Sequence, residues 1–263
     1  MSLLEFLAHK ISSSKKEIKR QIENNACILN GAIVRVASKE LTYGDTIEWK
    51  ERLINKPLFE PNRILYEDKD LLIYNKPPGV SSDAEGMLAL LKPYGHFFLV
   101  HRLDKDTSGV FILAKNVASE KVITAAFKER SIKKHYVALV NGIPEPKGYI
   151  ENYLGKIGGF QGQNVYGSVE PHLGKFARTS WVLQKKFKKA ALISCYPETG
   201  RTHQIRIHLS ELGHPILGDA QYGSFEAARL MLHAYKISFL HGGKMFTVIA
   251  PIPKDFQDKI KTL

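Results

Sequence analysis

Two short helical patterns, followed by strand and turn signals, fill the first fifty residues. Leucine and isoleucine recur between Leu3 and Ile11 at the spacing that places them on one helix face. A run of serines then caps a second, basic helical pattern at residues 15–24. Asn30-Gly31 is a tight-turn signal between two apolar triplets, and residues 46–49 form a further strand pattern. The pattern predicts a small module of two helices and short antiparallel strands.

Residues 51–62 separate this module from the rest of the chain. They contain Pro57 and Pro61 and show no periodicity, which is typical of a linker. We therefore predict two domains, the first at residues 1–56, including part of the linker, and the second at residues 57–263.

Strand patterns dominate the second domain. They occur at residues 71–75, 97–100, 110–114, 136–140, 179–183, 191–196 and 245–250. The two clearest helical patterns are residues 117–130, capped by Asn116, and residues 202–212, ended by Gly213 and Pro215. Because the strands cluster instead of alternating with helices, we predict an α+β fold with a mixed, mostly antiparallel central sheet and flanking helices.

The charge of the chain narrows the choice of partners. Its 263 residues include 38 Lys and Arg against 26 Asp and Glu, a formal net charge of +12. Such a surplus favours a polyanionic partner, because each neutralised phosphate releases condensed counterions, although many basic proteins bind no nucleic acid. No apolar run approaches the roughly 20 residues of a membrane span. With two distant cysteines and no basic start of a signal peptide, we expect a soluble, cytoplasmic protein.

The segment from His101 to Gly109 concentrates charge between two apolar strand patterns. Its sequence is His-Arg-Leu-Asp-Lys-Asp-Thr-Ser-Gly. Arg102 and Lys105 place positive charge beside the carboxylate of Asp104, and an ionised carboxylate suits a nucleophile better than a general acid. A loop salt bridge, with the last three residues shaping a turn, explains the same pattern without any catalytic role.

A second polar segment runs from Glu198 to His208. If Thr202 caps a helix there, Ile205, Leu209 and Leu212 form its buried stripe and Arg206 projects from another face. The planar guanidinium of that arginine can bind a carboxylate through two parallel hydrogen bonds and hold it in place. The alternative is that Arg206 and its neighbouring arginine are solvated helix charges.

The sequence argues against several other chemistries. His203 and His208 are five residues apart, not the four that place two imidazoles on one helix face, so no metal is expected. The GxSxG turn of serine hydrolases is missing. Residues 75–79 lack the glycine spacing of a phosphate-binding loop and are interpreted as a rigid turn after a strand.

Taken together, these segments resemble the RNA pseudouridine synthases of the RluA/RluD type. The matching stretches are residues 75–79, 101–109, 134–142, 198–213, 218–219 and 232–234, in the family's order and spacing. They span most of residues 62–250. Residues 1–50 resemble the S4 RNA-binding module that precedes the catalytic domain in several members. The chain departs from the family pattern at residues 80–83, and residues 157–176 are interpreted as a glycine-rich loop.

The resemblance implies roles for individual residues. Asp104 is the expected nucleophile, Arg206 its ion-pair partner and Tyr136 the aromatic that stacks on the uracil. Arg102 is expected on the RNA side, where it fills the place of the extruded base, and Leu232 belongs to the apolar wall. The full set of expected substrate or RNA contacts is His101, Arg102, Thr107, Ser108, Lys76, Arg201, His203, Gln204, Leu232, Lys15, Lys16, Lys19 and Arg20.

The resemblance also implies the reaction. Such an enzyme detaches uracil from its ribose and reattaches it through carbon, without a cofactor and after flipping the base out of the RNA. Ribosomal RNA is the expected substrate, because members with an S4-like module act mainly on it. We expect a monomer with no membrane partner. The alternatives are a transfer RNA enzyme of the same family, a glycosylase that releases free uracil, and a non-catalytic S4-type RNA-binding protein.

Overall fold

The computed structural model describes residues 1–23, 26–34, 36–49, 58–160, 163–224 and 226–263. The chain divides into two compact units. One comprises Met1–Lys56 and Lys156–Val165, and the other comprises Pro57–Gly155 and Tyr166–Leu263.

The start of the first unit has the predicted helices and antiparallel strands. Its elements are α1 (Leu3–Lys10), α2 (Lys15–Glu23), β1 (Cys27–Leu29), β2 (Ala32–Val34) and β3 (Ile47–Trp49), with strand order β2-β1-β3. Asn30 and Gly31 both have positive φ, as a two-residue hairpin turn requires. Leu3, Leu7 and Ile18 are buried in a small core. The predicted end of the second helix at residue 24 and most of the predicted linker lie outside the described residues.

The second part of the chain is built around one large sheet. Its strands are β4 (Ile64–Glu67), β5 (Leu71–Lys76), β6 (Phe98–Leu99), β7 (Ser108–Ala114), β8 (Lys133–Asn141), β9 (Lys147–Phe160), β10 (Gln163–Ser168), β11 (Lys175–Lys186), β12 (Ala190–Pro197), β13 (Leu232–His241) and β14 (Lys244–Ile249). Its helices are α3 (Ala89–Leu91), which follows a π-helical turn (Ala84–Leu88), α4 (Val117–Lys128), α5 (Gln204–Glu211) and α6 (Lys254–Lys261). None of the described helices is long and apolar enough to cross a membrane.

The sheet is mixed and mostly antiparallel, which confirms the predicted fold class. The strand order is β10-β9-β11-β12-β8-β13-β7-β5-β4, with β14 paired to β13 and β6 paired to β7. The pair β7–β13 is parallel, and the other pairs with a described register are antiparallel. All seven strand patterns predicted for the second domain overlap strands of the sheet, and Asn116 caps α4 as predicted.

The sequence patterns missed part of this sheet. The segment 157–176, interpreted as a loop, contains the end of β9, all of β10 and the start of β11. The interpretation was wrong because its glycines were taken as loop signals, whereas an edge hairpin tolerates them. Strand β13 was also missed, although it lies between β7 and β8 at the centre of the sheet.

Strand β13 approaches β7 so closely that only glycine fits at one position. Gly109 has φ +118°, and a Cβ built on it would lie 2.2 Å from the carbonyl oxygen of Ala234. The preceding residue, Ser108, hydrogen bonds through Oγ to Nδ1 of His233 at 2.9 Å. These contacts fix the end of the polar loop 101–107 against β13. On its other side β13 pairs with β8, where Tyr136 lies opposite Ala234. The loop and the tyrosine are therefore brought together by three adjacent strands.

Candidate active site

A cavity of about 540 Å³ opens where the polar loop, β8 and the segment before α5 meet. Asp104 and Tyr136 both line it, together with Leu232 at the start of β13. The other walls come from the end of α4 and from residues 197–205. Its lining mixes apolar side chains with cations.

Asp104 and Arg206 form an ion pair at the edge of this cavity. Nη1 of Arg206 lies 3.5 Å from Oδ2 of Asp104, and the two side chains are 11% and 25% exposed. The carboxylate therefore keeps access to the cavity, while the guanidinium is largely buried behind it. The sequence prediction placed both hydrogen bonds of the guanidinium fork on Asp104, and that geometry is wrong.

The fork of Arg206 binds Asp219 instead. Nε donates to Oδ2 at 2.8 Å and Nη2 donates to Oδ1 at 2.9 Å, and the Asp219 side chain is only 1% exposed. The backbone N–H groups of Gln221 and Tyr222 also donate to Asp219 Oδ1, at 3.2 and 3.3 Å. One buried carboxylate thus fixes two of the three guanidinium nitrogens, and the third faces Asp104.

Two further residues of the loop after Gly218 contact the guanidinium of Arg206. Gln221 Oε1 accepts a further hydrogen bond from Nη2 at 3.1 Å, and the ring of Tyr222 lies 5.0 Å from the guanidinium carbon. Burial lowers the pKa of Arg206, but the hydrogen bonds and charge of Asp219, followed by the charge of Asp104, shift it upward overall. Gly218-Asp219 matched the family pattern in the sequence, yet no role for Asp219 was predicted.

Tyr136 forms a wall of the cavity close to Asp104. Burial is the main cause that raises the pKa of its phenol, and the negative charge of Asp104 raises it further. The hydroxyl is therefore neutral throughout the physiological pH range and can donate a hydrogen bond. The ring is half-buried on β8, where its backbone is fixed on both sides by β12 and β13.

Helix α5 starts two residues later than predicted. It begins at Gln204, and the residue before it, His203, has a left-handed backbone with φ 55°. Thr202 therefore does not cap the helix. Gln204 Oε1 accepts hydrogen bonds from Thr199 Oγ1 at 2.6 Å and from the Arg201 backbone N–H at 3.0 Å, so a glutamine inside the helix orders the preceding turn.

Three residues predicted to contact RNA are buried and use their polar atoms inside the protein, and the prediction is corrected for the two of them, Ser108 and Lys76, that do not line the cavity. Gln204 uses its amide to hold the turn and β11, with Nε2 donating to the Arg178 carbonyl and to Thr179 Oγ1. Ser108 is bound to β13, as described above. Lys76 is fully buried, and its ammonium donates to the carbonyl groups of Pro77, Val80 and Lys105 at 3.1, 2.7 and 2.9 Å.

Lys76 ties the turn after β5 to the loop that carries Asp104. Burial lowers the pKa of Lys76 to about 7, with the charges of Asp106 and Asp104 acting in the opposite direction. Its three carbonyl partners explain why a lysine is needed there without any RNA contact.

The other predicted contacts fall into two groups. One group lines the cavity, as Gln204 also does: His101, Arg102, Thr107, Arg201, His203 and Leu232. Nε2 of His101 accepts the backbone N–H of Ile112 at 2.8 Å, and burial lowers the pKa of that imidazole to about 3. His203 shares a hydrogen bond of 3.0 Å with the hydroxyl of Tyr222. Lys15, Lys16, Lys19 and Arg20 lie on α2 of the first unit, where Arg20 pairs with Glu17 at 2.6 Å.

Comparison with known proteins identifies the class to which this fold and site belong. The model of the RNA pseudouridylate synthase family matches residues 70–211. The ribosomal large subunit pseudouridine synthase C of Buchnera aphidicola (subspecies Baizongia pistaciae) is 40% identical over 215 residues, covering 74% of this chain and 68% of that protein. The ribosomal large subunit pseudouridine synthase D of Haemophilus ducreyi is 32% identical over 285 residues, covering 95% and 86%.

Solved structures agree with this result. Human RNA pseudouridylate synthase domain containing 1 is 30% identical with a TM-score of 0.64, covering 72% of this chain and 82% of that one. Human RNA pseudouridylate synthase domain containing 4 shares the fold at a TM-score of 0.66 and 24% identity, covering 76% and 92%. The chain belongs to the RNA pseudouridylate synthase family. It is an isomerase that converts uridine to pseudouridine in RNA.

Proposed function

We propose that this enzyme modifies uridine in large-subunit ribosomal RNA and that Asp104 is its nucleophile. Two of the relatives described above are named for that RNA. The observation that carries the assignment of the nucleophile is the ion pair of Asp104 with Arg206 at the edge of a cavity walled by Tyr136. Arg206 then acts as the ion-pair partner and Tyr136 as the aromatic that stacks on the base.

The geometry supports a carboxylate that acts directly on the nucleoside. The nearest approach of Arg206 to Asp104 is the 3.5 Å between Nη1 and Oδ2, and the carboxylate stays 25% exposed, so its charge is held in place without being covered. The carboxylate can add to C1′ of the ribose, assist loss of the C2′ proton, or add to the uracil ring, and each route needs it beside the extruded nucleoside. Leu232 and Ile205 add apolar surface that excludes water, which would otherwise intercept the intermediate.

Base extrusion explains the aromatic and the exposed arginine. Flipping a stacked uridine costs a few kcal/mol. Stacking of the uracil on Tyr136 recovers roughly 1–3 kcal/mol of that cost. Arg102 is exposed at the cavity, where its guanidinium can occupy the position that the base leaves in the RNA.

Thr107 also lies in the cavity wall. Its buried hydroxyl has no hydrogen-bond partner among the described residues.

We infer that residues 1–56 are an S4-like RNA-binding module and residues 57–263 the catalytic domain. The helix pair and three short antiparallel strands support this, as does the basic face of α2. We also propose that the enzyme acts as a monomer. An enzyme acting on ribosomal RNA works where that RNA is found, in the cytoplasm.

Mapping pseudouridine in cellular RNA tests the proposed substrate. Carbodiimide mapping of RNA from cells with and without the gene is expected to show a uridine of the large-subunit RNA whose modification depends on the gene. Adding the purified protein to the unmodified RNA is expected to restore that modification. If the gene-dependent pseudouridine were found only in transfer RNA, transfer RNA and not ribosomal RNA would be the substrate. Release of free uracil would identify a glycosylase.

Neutralising the basic face of α2 tests the proposed RNA-binding module. The double substitution Lys15→Ala/Lys19→Ala is expected to weaken RNA affinity and to reduce the slope of log K against log salt by about 2, because two phosphate contacts are lost. The rate constant on a saturating short RNA should change less than twofold. Lys39→Ala, an exposed lysine of the same unit, serves as the control. An unchanged affinity with a reduced rate constant would contradict the module assignment.

A further inference from the structure

Five Lys and Arg residues line the same cavity as Asp104, and three of them, Arg130, Lys134 and Arg201, act electrostatically on one another. Arg130 follows the C-terminal end of α4, Lys134 lies on β8 two residues before Tyr136, and Arg201 lies between β12 and α5. They come from three different elements, so the fold and not the local sequence places them at one cavity.

Lys134 and Arg201 are each fixed at one end. Nζ of Lys134 donates to the carbonyl of Thr199 at 2.7 Å and lies 3.8 Å from a Cβ built on Gly200. Nε of Arg201 donates to the carbonyl of Phe176 at 2.9 Å. An ammonium has three donors and a guanidinium has five, so each group retains donors for a ligand.

Arg130 is held in an unusual backbone conformation. Its φ is 59°, and it occupies the position after α4 where the backbone N–H of Ser131 bonds to the carbonyl of Ala126. Glycine is the usual residue there, since a side chain in the left-handed region costs about 1–3 kcal/mol. A cation near a helix C-terminus recovers some of this free energy through the helix dipole. The conformation also points to a role for the side chain, which reaches the cavity wall.

The three cations repel one another and are not neutralised by carboxylates. Burial, followed by the charges of Arg130 and Arg201, lowers the pKa of Lys134 to about 8. Burial and then Arg130 lower the pKa of Arg201. Among the described residues, none of the three has a carboxylate within ion-pair distance, and Glu198, which shares the cavity, pairs with Arg178 at 3.1 Å. An anion bound here would relieve this repulsion.

We propose that Arg130, Lys134 and Arg201 form a phosphate subsite that binds one backbone phosphate next to the extruded uridine. This proposal rests on the proposed RNA substrate. An extruded nucleotide stays joined to the RNA through its 5′ and 3′ phosphates, so a base that enters the cavity brings a phosphate to its wall. Guanidinium and ammonium groups bind phosphate oxygens through charge-assisted hydrogen bonds. The subsite fixes the nucleotide through its charge, while Tyr136 binds its base.

A double-mutant cycle, with one change in the protein and one in the RNA, tests the subsite. The probes are short RNAs containing the mapped target uridine, with a single methylphosphonate linkage on its 5′ or its 3′ side. Arg201→Ala and Arg130→Ala are each expected to raise the dissociation constant about tenfold and to lower kcat less than threefold. One of the two methylphosphonates should weaken binding by the wild-type enzyme to a similar extent. That methylphosphonate should then weaken binding by the variants less than twofold, because the contact is already lost.

The controls separate this result from a general loss of charge or of fold. Arg201→Lys should recover part of the affinity, and Lys121→Ala, an exposed lysine of α4 outside the cavity, should bind both RNAs like the wild type. Additive effects of protein and RNA changes, or unchanged affinity of both alanine variants, would overturn the subsite. Failure of the wild type to modify the unsubstituted RNA would instead overturn the proposed substrate, so the two failures are distinguishable.

Discussion

Replacing Asp104 by asparagine is expected to abolish pseudouridine formation, lowering the single-turnover rate constant by at least about 10³–10⁴-fold, as loss of a nucleophile does in other enzymes. The substitution removes one charge and retains the shape of the side chain. Arg206 keeps its two hydrogen bonds to Asp219, so the surrounding structure is expected to persist. RNA binding should change less than twofold, because the basic surface is intact. The measurement is single-turnover modification with enzyme in excess, alongside filter binding.

Asp106→Asn is the matched control for this experiment. Asp106 is an exposed carboxylate in the same loop and does not line the cavity. Its variant should retain activity within about threefold. Turnover by Asp104→Asn near the parent rate would remove Asp104 from the role of nucleophile. A thermal melt of each variant shows whether a loss of activity follows from unfolding.

The sequence predicted the strands whose apolar pattern is continuous, and it failed where pairing is decided at long range. β5 and β7 are fully buried, and each contains an uninterrupted apolar run, Leu71–Tyr74 and Val110–Ala114, so their pattern was clear. β13 contains a buried histidine, His233, and a lysine, Lys236, which interrupt its pattern. Its position depends on β7, more than a hundred residues earlier in the chain, and local sequence does not carry that information. The core of the sheet was therefore only partly predictable.

For the site, the resemblance predicted which residues occupy the cavity better than it predicted what each contacts. The proximity of Asp104 and Arg206 was predicted, and the ion pair is present. Lys76 and Gln204 belong to matching stretches, but a match shows only that a residue type is needed, and both turned out to be buried in internal hydrogen bonds. Asp219 was overlooked because its partner lies on another element, which only the folded chain reveals.

Asp219 determines how Arg206 meets the nucleophile. By binding Nε and Nη2, it leaves Nη1 as the nitrogen that lies nearest to Asp104, so the two-bond face of the guanidinium does not cover the carboxylate. Without Asp219, the guanidinium would be free to turn its fork toward Asp104 and cover the carboxylate. We therefore expect Asp219 to act as a positioning residue, through Arg206.

Replacing Asp219 by asparagine is expected to lower kcat at least about 100-fold and to destabilise the fold, since breaking a buried ion pair costs about 3–5 kcal/mol. KM should change less than threefold, because Asp219 does not line the cavity and the residues proposed to bind the base and the phosphates are all retained. Asp255→Asn is the matched control, as Asp255 binds Arg229 through the same two-bond geometry outside the cavity. That variant should keep the wild-type kcat. If the kcat of Asp219→Asn, measured per folded molecule well below its melting temperature, equalled that of the wild type, Asp219 would serve stability alone.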